Sequence, residues 1–305
     1  MANNAGLTEK ILKLKKSLKA VILVHNYQNP ELYAVADFVG DSLDLAQNAQ
    51  KTQAPIIIFC GVRFMAETAK ILNPQARVFL VAKDAGCPLA DTISAPALRQ
   101  AKEQYQPDLV VAYVNTTAEV KAEAHLCVTS ANAVKVISKL PEHYKILFVP
   151  DKHLAQYVKI KTGRKIIEWP GYCYVHAEYF QASHVYRARI QYPDAKIIVH
   201  PECTPEVVAA ADFVASTSGM VKLAQLFPQV VLGTEAGMCT RIKFSLPHIG
   251  CYPLAAQAIC QDMKKTTLER LAWVLESLPL DHEIIVPEEV RTRAEKTLTK
   301  MLEYS

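Results

Sequence analysis

Three stretches of the chain share one pattern, a short apolar and β-branched run that ends abruptly in polar residues. They read AVILVHNY at 20–27, DLVVAYVN at 108–115 and AKIIVHPE at 195–202. His25, Tyr113 and His200 hold the same place in each run, at separations of 88 and 87 residues. Seventeen residues beyond each of them stands a hydroxyl residue, Ser42, Ser130 or Thr217. The segment before that hydroxyl also recurs: ADFV at 36–39 and again at 211–214, with AHLCV at 124–128 as a looser relative. A fixed period of this length marks internal repetition, and we read the chain as three copies of one unit.

Each unit follows one plan. A helical pattern starts after the hydroxyl, most clearly in the third copy, where Met220, Leu223, Ala224 and Phe227 fall at i, i+3, i+4 and i+7. A second apolar strand is expected at 56–59, 146–149 and 230–232, then a helix at 64–72 and 153–161, then a third strand at 78–81 and 165–168. The third copy departs from the plan, because its 244–249 run contains Pro247 and makes a poor strand. Short apolar strands alternating with helices predict an α/β fold with parallel sheets covered on both faces. The expected architecture is three homologous three-layer αβα domains, at 20–106, 107–193 and 194–280, in a pseudo-threefold arrangement around a central active site. A helix at 7–19 and part of the C-terminal tail are expected to pack on the first domain. Residues 267–278 read as a helix with Leu268, Leu271, Leu275 and Leu278 on one side, and 281–305 as a helical tail.

Composition narrows the function classes. Of 305 residues, half are hydrophobic and 21% charged, which excludes a disordered or fibrous chain. The net charge of +4 is mild and comes without long like-charge blocks, so nucleic acid is not an expected partner. No run of 18 apolar residues offers a membrane span. The lysine-rich start lacks the uninterrupted apolar core of a secretory signal, and a cytoplasmic protein is expected.

The eight cysteines form no CxxC pair, which removes zinc ribbons, thioredoxin-type motifs and clustered ferredoxin sites. Cys87 and Cys173 each lie just after the third strand of their copy, 86 residues apart, and Cys260 follows 87 residues later. Cys251 is the close competitor for the third place, 78 residues from Cys173. Cys60, Cys127, Cys203 and Cys239 read as core residues. Loops leaving the carboxyl ends of parallel strands form binding faces, so equivalent loops of three units would bring Cys87, Cys173 and Cys260 together. Three thiolates without a fourth suit a [4Fe–4S] cluster with one iron open to act as a Lewis acid. Zinc, with His200 or His176 as the fourth ligand, is the second metal reading, although zinc sites usually draw ligands from close sequence pairs.

The hydroxyls and strand ends supply the remaining chemistry. Ser42, Ser130 and Thr217 are expected at helix N-caps, where free N–H groups and the helix dipole seat carboxylate or phosphate. A substrate with two or three acidic groups follows. At the strand ends, His25 with Tyr27, Tyr113 with Asn115 and His200 with Glu202 are spaced i, i+2 and so project together. Glu202 beside His200 is the preferred general acid/base, Tyr27 the second, and Asn115 can orient a carbonyl or carboxylate.

These residues sit in motifs that resemble the quinolinate synthase family. The motifs are HNYQ at 25–28, GDS at 40–42, FMAET at 64–68, DAGCP at 84–88, YVNT at 113–116, TSAN at 129–132, PGYCYVH at 170–176, HPEC at 200–203 and STSGM at 216–220. The resemblance spans nearly the whole chain. It implies a [4Fe–4S] cluster on Cys87, Cys173 and Cys260. It also implies condensation of iminoaspartate with dihydroxyacetone phosphate to quinolinate, phosphate and water, on the route to NAD. His25, Ser42, Tyr113, Asn115, Ser130, His200, Glu202 and Thr217 would surround the substrate, with Tyr27, Tyr113, His200 and Glu202 as catalytic candidates. An aspartate oxidase or dehydrogenase would be the transient partner that supplies iminoaspartate. Some members carry the last cysteine in a CxxCxxC run, whereas this chain has only Cys251 and Cys260. An alternative is an enzyme of the diphthamide-synthesis type, which also gathers one cysteine from each of three domains but cleaves S-adenosylmethionine. A non-catalytic repeat scaffold is the other.

Overall fold

The structure, a computed structural model, describes residues 2–305. The first repeat contains α1 (Ala2–Leu18), β1 (Ala20–His25), β2 (Phe38–Gly40), α2 (Ser42–Lys51), β3 (Ile56–Cys60), α3 (Arg63–Leu72), β4 (Arg77–Leu80) and α4 (Ala95–Tyr105). The second contains β5 (Leu109–Tyr113), α5 (Ala118–Glu123), β6 (Leu126–Val128), α6 (Ala133–Ser138), β7 (Lys145–Val149), α7 (Lys152–Thr162), β8 (Lys165–Glu168), α8 (Tyr174–Glu178) and α9 (Ala182–Gln191). The third contains β9 (Lys196–Val199), α10 (Pro205–Ala210), β10 (Phe213–Val214), α11 (Thr217–Ala224), β11 (Gln229–Gly233), α12 (Gly237–Ser245), β12 (Gly250–Pro253), α13 (Gln261–Lys264) and α14 (Leu268–Ser277). Helix α15 (Glu288–Tyr304) ends the chain.

The three sheets have the same spatial order, β2-β1-β3-β4, β6-β5-β7-β8 and β10-β9-β11-β12, and every pairing within them is parallel. Central strands are buried on both faces; β3, IIIFC, is buried at every residue. A strand of this kind needs a continuous apolar run, because helices cover both sides. In each sheet the chain leaves the first strand toward one edge and returns on its other side. The carboxyl ends of these two neighbouring strands flank the crevice where such sheets bind ligands.

The repetition reaches individual hydrogen bonds. In the first repeat the Asp37 N–H donates to the Ile22 carbonyl and the Asp37 carboxylate accepts the Ile22 N–H at 2.8 Å. Asp212 does the same with Ile197, also at 2.8 Å, and His125 with Val110 through Nδ1 at 2.9 Å. Each side chain satisfies a strand N–H just before the short edge strand begins. This explains the repeated ADFV segment: its Asp closes the ladder, and its Phe-Val forms the edge strand itself. These edge strands are only two or three residues long, too short to show a period in sequence.

One expectation needs correction. The third strand of the third repeat is not missing but shifted. Phe244 closes α12, Pro247 falls in the following loop, and β12 pairs in parallel with β11 from Gly250 onward. Its GCYP sequence lacks the apolar run that marks the other strands, because three of its four residues are only half-buried.

The termini brace the repeats. Ile11 of α1 shares a core with Leu268, Leu271, Val274 and Leu275 of α14 and with Ile22 and Val24 of the first sheet. Helix α15 lies across α5 and β6 of the second repeat and reaches α3 of the first. Replacing Asp212 by Ala would strand the Ile197 N–H and release Arg189, whose guanidinium pairs with Asp212 at 2.8 Å. We expect Asp212→Ala to lower unfolding stability by about 2 kcal/mol, read as a reduced urea midpoint with an unchanged circular dichroism spectrum.

Candidate active site

The carboxyl ends of the three sheets open onto one cavity with about 680 Å³ of atom-free space, part of it open to solvent. Each repeat contributes four of the residues singled out in the sequence. His25, Tyr27, Ser42 and Cys87 come from the first, Tyr113, Asn115, Ser130 and Cys173 from the second, and His200, Glu202, Thr217 and Cys260 from the third. Cys251 lies instead in β12, its Sγ 2.8 Å from that of Cys239 in α12. Cys60, Cys127 and Cys203 are buried in the core.

The three hydroxyls are not helix caps, contrary to expectation. Asp41 caps α2, its carboxylate accepting the Leu43 and Asp44 N–H groups at 3.0 Å. Ser216 caps α11 by accepting the Gly219 N–H at 3.2 Å. Ser42 and Thr217 are the first helical residues, one position later. Ser130 lies in the turn before α6, where Asn132 precedes the helix. In the first and third repeats, the residue before the hydroxyl has the extended backbone and the acceptor that capping needs. The hydroxyls are thereby released from backbone duty and face the cavity.

The strand-end histidines share a local device. His25 Nδ1 accepts the Tyr27 N–H at 3.2 Å, and His200 Nδ1 accepts the Glu202 N–H at 3.4 Å. A neutral ring bonded this way carries its proton on Nε2. His200 Nε2 then donates to Ser130 Oγ at 3.2 Å. Burial holds both rings neutral, with proton uptake pushed down to about 3.

A hydrogen-bonded chain crosses the cavity floor. The Tyr27 hydroxyl meets Thr234 Oγ1 at 2.5 Å, and Thr234 Oγ1 lies 2.9 Å from His176 Nε2. His176 Nδ1 lies 2.8 Å from Glu202 Oε2, and the Tyr113 hydroxyl donates to Glu202 Oε1 at 2.5 Å. Because an ionised carboxylate only accepts, His176 donates from Nδ1, and a ring carrying its single proton there accepts at Nε2 from Thr234, the direction that runs the chain from Tyr27 to Glu202. Burial opposes charge on Glu202, but the His200 and His176 rings, when protonated, and the bonds donated by His176 and Tyr113 outweigh it and lower the carboxyl. Burial pushes the Tyr27 and Tyr113 hydroxyls well above the usual phenol range, with the Glu202 charge adding to it.

The thiols also report on what the site can hold. Burial pushes Cys87, Cys173 and Cys260 up, and the charge of Cys87 and Cys260 adds to the effect at Cys173. Among the described residues no lysine or arginine lines the cavity. Metal is the partner that makes buried thiolates stable, so this donor set fits a metal cofactor. Cys173, His176 and Glu202 also bring ligand atoms within 4.8 Å of one another. Asn115 lines the cavity, and its Oδ1 is buried without a hydrogen-bond partner. The loop before Cys173 is tightly packed: a Cβ on Gly171 would lie 2.6 Å from the Pro150 carbonyl and 2.3 Å from Thr92 Oγ1.

Residues 9–303 match the family described as quinolinate synthetase A protein. The chain is 45% identical over 304 residues to the quinolinate synthase of Methanoregula boonei, covering 99% of both proteins. It is 47% identical over 302 residues to that of Pyrococcus abyssi, covering 98% of this chain and 99% of the relative. It is 48% identical over 298 residues to that of Dehalococcoides mccartyi strain CBDB1, covering 97% of both. The chain belongs to the quinolinate synthase family. Among the described residues no helix is long and apolar enough to cross a membrane.

In this quinolinate synthase family member, two polar residues of the floor lie outside the acid–base set read from sequence, His176 having entered only as a fourth ligand in the zinc alternative and Thr234 not at all. His176 is three residues past Cys173, on α8, and that spacing was the available signal for its approach to the thiol at 3.3 Å. Thr234 follows β11 with no companion motif, and nothing in the sequence marks it.

The buried histidines make a pH dependence. Unfolded imidazoles take a proton near pH ~6.5, whereas His25 and His200 do so only near about 3. Between these values the unfolded state binds more protons, so their contribution to stability is full above pH ~6.5 and declines as the pH falls toward 3. We expect the urea midpoint of the metal-free chain to drop between pH 7 and pH 4. The double variant His25→Gln, His200→Gln should show a shallower drop.

Proposed function

We propose that the chain is a quinolinate synthase that condenses iminoaspartate with dihydroxyacetone phosphate, releasing phosphate and water, in the synthesis of the pyridine ring of NAD. The observation that carries this reading is the meeting of three thiols, one per repeat, with an acid–base set in a single cavity without lysine or arginine. Cys87, Cys173 and Cys260 would hold a [4Fe–4S] cluster. When bound, it would supply a Lewis-acidic iron for the loss of hydroxide.

The protein's own groups then divide the work. Ser42 and Thr217, at the first turns of α2 and α11, place hydroxyls and helix N–H groups toward the carboxylates and phosphate of the two substrates. His25 and His200, neutral and protonated at Nε2, donate to carboxylate or carbonyl oxygens without giving up a proton. The unpaired Asn115 Oδ1 accepts from the imine or amine nitrogen. Glu202 enters ionised and acts as the base. Tyr27 enters protonated and acts as the acid, and its proton is replaced or passed on through Thr234 and His176 to Glu202. Two titratable groups pushed in opposite directions within one site are the arrangement that separates acid from base. Tyr113 holds Glu202 in place and shares its negative charge. Reductive cleavage of S-adenosylmethionine has no use for this hydrogen-bonded set, which favours the condensation.

The test is anaerobic. Isolated chain should carry about four irons and four sulfides and form quinolinate from the two substrates. Glu202→Gln should retain the iron while quinolinate formation falls by about 10²–10⁴-fold. Near-normal turnover in that variant would remove Glu202 from the chemistry, and a colourless wild-type chain would remove the cluster.

A further inference from the structure

Each cysteine loop is held by a carboxylate that the chemistry above does not use. In the second repeat, Asp151 bridges two elements. Its Oδ1 accepts the Leu154 N–H at 2.7 Å and so caps α7, while its Oδ2 accepts the Cys173 N–H at 3.1 Å. The same loop is clamped by the Lys152 N–H, which donates to the Gly171 carbonyl at 2.8 Å. Asp151 is completely buried.

Strand register identifies the equivalent positions. Val149 pairs with Ala112 in the second sheet, and Gly233 with Val199 in the third. Glu235 therefore stands two residues past its strand, as Asp151 does, and it too is completely buried. Its Oε2 accepts the Gly237 N–H at 2.9 Å and its Oε1 lies 3.0 Å from Lys264 Nζ. Lys264 lies on α13, which begins just after Cys260, and the Ala236 N–H clamps the Cys260 loop by donating to the Ala258 carbonyl at 2.8 Å. In the first sheet Cys60 pairs with Val24, which puts Val62 at the equivalent position, with no carboxylate. There a substitute arrives from the third repeat: Asp262, two residues past Cys260, accepts the Gly86 N–H, next to Cys87, at 3.1 Å.

We propose that Asp151 and Glu235 are positioning residues that fix the backbone of Cys173 and Cys260 in the conformation a metal cluster needs, with Asp262 serving the Cys87 loop. The proposal rests on the cluster reading above and concerns the scaffold that receives it. Pinning a cysteine N–H limits the rotation that would swing its Sγ out of the cavity. Anchoring the pin to a helix cap or a buried ion pair ties the loop to a rigid element. A carboxylate suits this duty because both of its oxygens accept, whereas an amide would turn a donor toward one of the N–H groups. Outer groups of this kind orient metal ligands, and their loss typically costs ~10–100-fold in metal affinity.

Asp151→Asn separates the two duties of Asp151. Asn caps helices about as well as Asp, so the Leu154 bond and α7 persist, while the amide donor faces the Cys173 N–H. The metal-free variant is expected to unfold at nearly the wild-type urea concentration. After anaerobic reconstitution it should lose iron to a chelator ~10–100-fold faster, with a changed electron paramagnetic resonance signal of the reduced cluster. Glu235→Gln should do the same by weakening the Lys264 pair that anchors the helix after Cys260. Asp281→Asn, on the exposed pair with Lys83, should retain iron like the wild type. Wild-type iron retention and spectrum in both Asp151→Asn and Glu235→Gln would overturn the proposal. So would unfolded metal-free chains in both, which would assign these carboxylates to the fold at large. A wild-type chain that binds no iron would remove the cluster reading itself, an outcome visible before any variant is compared.

Discussion

The first strand of each repeat is buried on both faces and ends by pushing a polar side chain, His25, Tyr113 or His200, into surroundings almost without water. That desolvation sets the character of the cavity. It keeps the two imidazoles neutral and the two phenols protonated. It also makes each surviving hydrogen bond stronger and each missing one more costly. Glu202 is the exception that the rest is built around. It stays ionised because the Tyr113 hydroxyl and the His176 ring donate to its two oxygens. Of these groups, His176 is the one that also links Glu202 to the hydrogen-bonded chain from Tyr27.

Triplication gives this arrangement its economy and its asymmetry. One sheet order and one ladder-closing side chain recur three times. The strand-end positions then diverge: His25 and His200 keep the same turn bond, whereas Tyr113 donates across the cavity to Glu202. Because equivalent positions face one another across the cavity, a difference between copies becomes a difference in role. Val62 shows the cost of such divergence, since its repeat borrows a carboxylate, Asp262, from another.

The period of the strand ends and cysteines was legible because it depends on long apolar runs and on rare residue types. Buried parallel strands need continuous Val, Ile and Leu, and these stand out in 20–25 and 195–199. Three features were hidden for physical reasons. The edge strands β2, β6 and β10 are shorter than any periodic signal. Strand β12 is GCYP, which forms on pairing with β11 rather than on its own propensity. The helix caps moved one residue, because a neighbouring Asp or Ser competes with the hydroxyl for the same N–H groups. The link from Tyr27 through Thr234 and His176 to Glu202 joins all three repeats, and no local pattern encodes it.

Among the described residues no lysine or arginine lines the cavity, so the seating of an anion there falls to other groups. Neutral donors such as an imidazole N–H or a serine hydroxyl orient a carboxylate well, but they do not offset the desolvation of a dianion. Glu202 adds a further negative charge nearby. What the lining offers an anion is the pair of helix starts at Ser42 and Thr217, together with the Lys264 charge that reaches His25. Anion seating and metal binding are therefore separate duties of one cavity, the first falling to the helix starts of α2 and α11 and the second suited to the donor set of Cys87, Cys173 and Cys260.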